Sequence, residues 1–87
     1  MMAKYRKKPV IVAAEQFWPD KPLPFSGRGP YVGYDGEHFY VTTIHGERAT
    51  LQPGDWVILE PSGDWRAYPC KPDIFAATYE SAEGATQ

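Results

Sequence analysis

Turn signals recur so closely through the middle of this sequence that a long helix has no room to form. Asp35-Gly36, His45-Gly46, Gln52-Pro53-Gly54-Asp55 and Pro61-Ser62-Gly63-Asp64 cut residues 31–68 into runs of four to eight residues. Runs of that length suit strands rather than helices. Glycine accepts the positive φ of a tight hairpin turn and Asp bonds its own backbone there, so Asp35-Gly36 predicts a type I′ turn joining residues 31–34 to residues 37–44. The next strands are expected over residues 47–51, 56–60 and 65–68. Strands so closely spaced imply a mainly β fold, a small antiparallel meander that curls into a compact barrel or sandwich.

The flanks read differently. Residues 10–18, bounded by Pro9 and Pro19, are rich in β-branched and aromatic residues and predict a largely buried strand. Residues 19–30 hold four prolines and two glycines, which excludes helix and makes a long loop. After Pro69, Pro72 can start a helix, Asp73 can cap it, and Ile74 to Ala77 supply about one turn that lays Ile74 and Phe75 on the sheet. Residues 78–80 can return as a last short strand, and residues 81–87 form a small polar tail expected to fray. The expected core is Val10, Val12, Phe39, Val41, Trp56, Ile58, Ile74 and Phe75, most of them on one face by alternation.

With 87 residues the chain supports one domain, expected over residues 1–80, with a basic arm over residues 1–8. An aromatic share of 15% and a net charge of -2 place it among chains that fold. Lys4, Arg6, Lys7 and Lys8 stand together, leaving five basic residues against eleven acidic ones in the body. That acidic body makes nucleic acid an unlikely main partner, because duplex binding needs a basic face. Residues 9–14 are too short an apolar run for a membrane span, so no membrane partner is expected. Cys70 is the single cysteine, which excludes an internal disulfide. With only two histidines the chain lacks the ligands of a structural zinc site, and no metal or other cofactor is expected.

Several stretches invite a chemical reading. Cys70 beside Lys71 could be an activated thiol, but neither His38 nor His45 is placed by sequence to serve as its base, so an inert cysteine is expected. Asp55, Asp64 and Asp73 each follow Gly or Pro in turn or cap positions, which accounts for them without catalysis. In Phe25-Ser26-Gly27-Arg28-Gly29-Pro30, glycines let backbone N–H groups converge on an anion while Arg28 supplies a donor fork. The candidate ligand-binding set is therefore Ser26, Gly27, Arg28 and Gly29, completed by Arg6 or Arg48.

Three stretches together form a recognisable pattern: Lys4-Tyr5-Arg6-Lys7-Lys8-Pro9-Val10, then Pro53-Gly54-Asp55-Trp56-Val57-Ile58, then Tyr68-Pro69-Cys70-Lys71-Pro72-Asp73-Ile74-Phe75 with Thr78-Tyr79-Glu80. In this the chain resembles a family of small phage and prophage accessory proteins. The likeness covers the start and the last third, and residues 18–34 fall outside it. It implies a viral or prophage origin and the host cytoplasm as workplace, and it carries over no catalytic residue. The expected function is non-enzymatic binding, either capture of a small phosphorylated ligand or host defence signal, or masking of a host protein. The alternatives are a structural or assembly component of the virion and a small hydrolase using turn aspartates. So many rings and strand edges in a short chain also predict a homo-oligomer.

Overall fold

The computed structural model describes residues 3, 11–28, 31–61 and 64–80. The basic arm with Arg6 and Val10, Gly29, and the tail over residues 81–87 lie outside the described residues. The fold is mainly β. Among the described residues six strands, β1 (Ala14–Gln16), β2 (Val32–Tyr34), β3 (Phe39–Thr42), β4 (Arg48–Thr50), β5 (Trp56–Leu59) and β6 (Ala67–Cys70), are followed by one α-helix, α1 (Pro72–Thr78). They form two three-stranded antiparallel sheets, ordered β1-β5-β6 and β2-β3-β4. Among the described residues the sheets do not join into a closed barrel.

The turns follow from local chemistry. The β3–β4 loop places Gly46 at φ 81°, with Thr43 and Glu47 closing it through a 2.8 Å bond from the Thr43 N–H to the Glu47 carbonyl. In Gln52-Pro53-Gly54-Asp55 the Asp55 N–H reaches the Gln52 carbonyl at 3.0 Å, and Gly54 takes φ 92° at the third position, where only glycine is unstrained. The first hairpin departs from expectation by one residue. Only Gly36 has positive φ, and the Asp35 N–H bonds the His38 carbonyl, so Gly36 and Glu37 are the central pair and Asp35 caps the turn.

Both sheets contribute to one core. Val41 and Leu51 from one side meet Val57 and Ala67 from the other, with Phe17 and Phe25 between them. Burying each of these larger side chains stabilises the fold by about 1.5–3 kcal/mol. Strand β6 packs against β3 and β4, and because it is an edge strand it accommodates Pro69, which has no N–H to donate.

β5 is apolar on both faces. Val57 belongs to the core cluster, whereas Ile58 and Trp56 alternate onto the opposite face, where α1 sets Phe75 against Trp56. The Trp56 and Phe75 rings stack at 4.1 Å and 5°, and Tyr79 continues the stack at 5.0 Å. The Tyr68 and Tyr79 hydroxyls meet at 3.2 Å.

Other expectations need correction too. The strand expected over residues 10–18 is regular only at Ala14–Gln16, although bonds from the Leu59 N–H to the Ala13 carbonyl and from the Phe17 N–H to the Asp55 carbonyl extend its pairing. Ile74 is 55% exposed, because in α1 Phe75 and Tyr79 are the pair that faces the sheet. Asp73 does not cap α1: Lys71 occupies the N-cap without a side-chain bond, and Asp73 sits in the first turn. No strand forms over residues 78–80, since Thr78 ends the helix and Tyr79 is its extended C-cap.

Candidate functional site

The proline-rich loop is pinned rather than slack. Pro24 is fully buried, and Phe25 is 5% exposed with its ring in the core. The Phe25 N–H donates to Glu15 Oε1 at 3.1 Å, tying the loop to β1, and the Ser26 N–H donates to the Leu23 carbonyl at 3.1 Å. Immediately after this anchor, Ser26–Arg28 forms a single 3-10 turn with Ser26 and Gly27 exposed.

An aromatic chain leads outward from the same anchor. Phe25 meets the Tyr31 ring edge-on at 5.8 Å and 61°, and Tyr31 meets Trp65 at 5.2 Å and 58°. Trp65 is 50% exposed and has φ 60°. Sequence reasoning places Trp65 at the start of a strand, but β6 begins two residues later, at Ala67. Nothing local marks this ring for the surface, because the contact that holds it comes from Tyr31, far away in the sequence.

Of the expected anion set, the structure brings Ser26, Gly27 and Arg28 together in one turn. Arg48 is engaged elsewhere: its guanidinium lies 4.3 Å from the centroid of the Tyr40 ring, on the outer face of the second sheet. The same ring covers Gly33, where an added Cβ would come within 2.5 Å of Tyr40 Cζ. Arg6 and Gly29 are outside the described residues.

The acidic and thiol groups are held in structural bonds. Asp55 is 2% exposed; its Oδ2 accepts the Gln52 N–H at 2.9 Å, and Lys71 Nζ stands 3.2 Å from Oδ1. The Lys71 ammonium therefore neutralises a buried carboxylate instead of activating Cys70. Burial pushes the Cys70 thiol up, and the Asp55 and Asp73 charges push it further, so the thiol stays protonated. Asp35 Oδ1 accepts the N–H groups of His38 at 2.7 Å and Glu37 at 2.9 Å, which hold its carboxyl below the usual range. His45 donates its backbone N–H to Thr43 Oγ1 at 3.3 Å. Among the described residues no group of three or more His, Cys, Asp or Glu side chains could hold a metal ion, and no helix is long and apolar enough to cross a membrane.

No protein family, curated protein or solved structure matches this chain.

Proposed function

We propose that this chain is a non-enzymatic accessory protein of a phage or prophage that acts by binding in the host cytoplasm, and that it captures a small phosphorylated molecule. The observation that carries this reading is the Ser26–Arg28 turn, whose exposed Ser26 and Gly27 rest on the buried Pro24 and Phe25. A turn anchored in this way needs little ordering when a ligand arrives, which spares much of the entropy cost of binding. Arginine is the residue type whose planar fork matches phosphate oxygens. A phosphate-bearing host defence signal is one concrete form of such a ligand. The engagement of Asp55 and Asp35 in their own turns favours a binder over a hydrolase.

A second reading, masking of a host protein, is favoured by the exposed apolar side chains Trp18, Tyr34, Ile44 and Ile74 on so small a domain.

A thermal melt separates the two. A ligand at a hundredfold excess over its Kd stabilises the folded state by about 2.7 kcal/mol, roughly 15 °C in a domain of this size. Ribose 5-phosphate and nucleoside monophosphates are expected to raise the melting temperature, and Arg28→Ala is expected to remove the rise while leaving the unliganded melt nearly unchanged. No shift with any phosphorylated compound would leave the masking reading in its place.

A further inference from the structure

The outer face of the β2-β3-β4 sheet carries a guanidinium that is held in place but bonds nothing. By register Gly33, Tyr40 and Thr50 stand in one row across that face, and Thr42 and Arg48 stand in the row two residues along. Gly33 leaves room for the Tyr40 ring to lie across β2, and Arg48 reaches over that ring to set its Cζ 4.3 Å from the centroid. The negative π-face attracts the cation and fixes its position, yet uses none of its N–H donors. Among the described residues no hydrogen bond or ion pair takes those donors, and Asp35, an acid that Arg48 influences only weakly, has the Glu37 and His38 N–H groups on its Oδ1.

The backbone of β4 is open beside this cation. Bonds from the Thr43 N–H to the Glu47 carbonyl and from the Leu51 N–H to the Phe39 carbonyl set the phase of the ladder, so Glu47, Ala49 and Leu51 turn their backbone groups toward β3. The N–H and carbonyl groups of Arg48 and Thr50 therefore point away from β3 at a sheet edge, and both residues are exposed. A charged side chain on an edge strand ordinarily wards off further pairing. Here the charge is drawn back over Tyr40, off the edge itself.

We infer that the β4 edge is the docking strand for an extended acidic segment of a partner protein, which adds to the sheet through the backbone of Arg48 and Thr50 and gives a carboxylate to the Arg48 guanidinium. This rests on the masking reading above and names the partner's chemistry. A residue directly opposite Arg48 or Thr50 projects onto the same outer face, so a Glu there comes beside the guanidinium without any movement of β4. The planar fork of arginine suits a carboxylate, and the Tyr40 ring has already ordered it. A second copy fits this edge less well, because antiparallel pairing of β4 with itself supplies no acid on the outer face and adds a second Arg48 there.

The test is an NMR titration of the whole chain with two capped peptides, Thr-Val-Glu-Val-Thr and its Gln counterpart. The Glu peptide at millimolar concentration is expected to shift the Arg48 and Thr50 amides and the Arg48 side-chain Nε–H. The Gln peptide is expected to bind up to about fivefold more weakly, the size of one exposed ion pair. Arg48→Gln should bring the Glu peptide down to the level of the Gln peptide and leave the latter unchanged. Thr50→Pro removes an N–H that serves no bond within the fold, so it should keep the folded spectrum and abolish binding of both peptides. Equal affinity of the two peptides, or a difference that survives in Arg48→Gln, would overturn the recognition of an acid. Peptide shifts at another strand edge, or none at all, would overturn the β4 site, and either result leaves the masking reading on the apolar side chains that motivate it. Shifts at Arg48 and Thr50 that follow protein concentration alone would give the edge to a second copy and overturn the acidic partner.

Discussion

Asp35 shows how much a single exposed side chain can decide. Its carboxylate receives two backbone N–H groups that the hairpin turn would otherwise leave to water. The His38 N–H is the larger influence and the Glu37 N–H the next, and both lower the carboxyl from its ordinary value of 3.8. A carboxyl depressed in the folded state stabilises the fold fully above its unfolded value, and that contribution is lost as pH falls through the folded one. Asp35→Asn keeps an acceptor but loses the charge. Its melting temperature is expected below that of the wild type at pH 6, and the gap is expected to close in strong acid. A melt series over pH checks this, and a gap that persists in acid would show that the charge is irrelevant.

Among the elements, α1 depends most on a few contacts. It has seven residues, no side-chain cap and no fully buried residue, too little to stand alone. What holds it is the Trp56–Phe75–Tyr79 stack, the Tyr68–Tyr79 hydroxyl pair, and the Lys71 ammonium on Asp55. Burial and the bond to Tyr79 push the Tyr68 phenol well up, so mild alkali leaves that pair intact. Phe75→Ala is expected to cost about 2–3 kcal/mol, below the usual range for a fully buried Phe, and to reduce helical ellipticity. Ile74→Ala, at an exposed site, is expected to stay within about 0.5 kcal/mol of the wild type. Urea melts of the two variants check this, and similar costs would mean that the helix is seated by the wrong face.

At this scale the limits of the sequence are also visible. The bends at Gly46 and Gly54 were legible because glycine and proline act within four residues. The choice of Phe75 over Ile74 was not, because one helical turn offers no periodicity to read. Alternation places Trp56 and Ile58 on the core face, but it assumes one buried face, and β5 has two. Of the candidate site, the Ser26–Arg28 turn was legible from its own glycine, whereas the burial of Phe25 and the exposure of Trp65 depend on Tyr31.

Taken together, the described residues have four strand edges for six strands, at β1, β6, β2 and β4. Pro69 blunts one of them by removing a donor. Beside the remaining edges, Ile11, Tyr34, Ile44 and Ile74 are exposed large apolar side chains, so unpaired backbone and apolar surface are both open to a second copy. Self-association is therefore expected at high concentration, and light scattering across a dilution series checks it. A mass that stays at one chain throughout would exclude it.

The two-faced burial of β5 also orders how the backbone should exchange its protons with solvent. Lifting α1 uncovers one side of the strand while the core behind Val57 stays closed, so helix amides can exchange through a small local opening. The amides of Val57 and Leu59 have no such route. The Leu59 N–H is bonded to the Ala13 carbonyl and neighbours a residue with no exposed surface, so its release needs β1 to detach from the core sheet, a larger opening than the helix requires. In deuterium the protein should therefore show two clocks, a fast one for α1 and a slow one for β5.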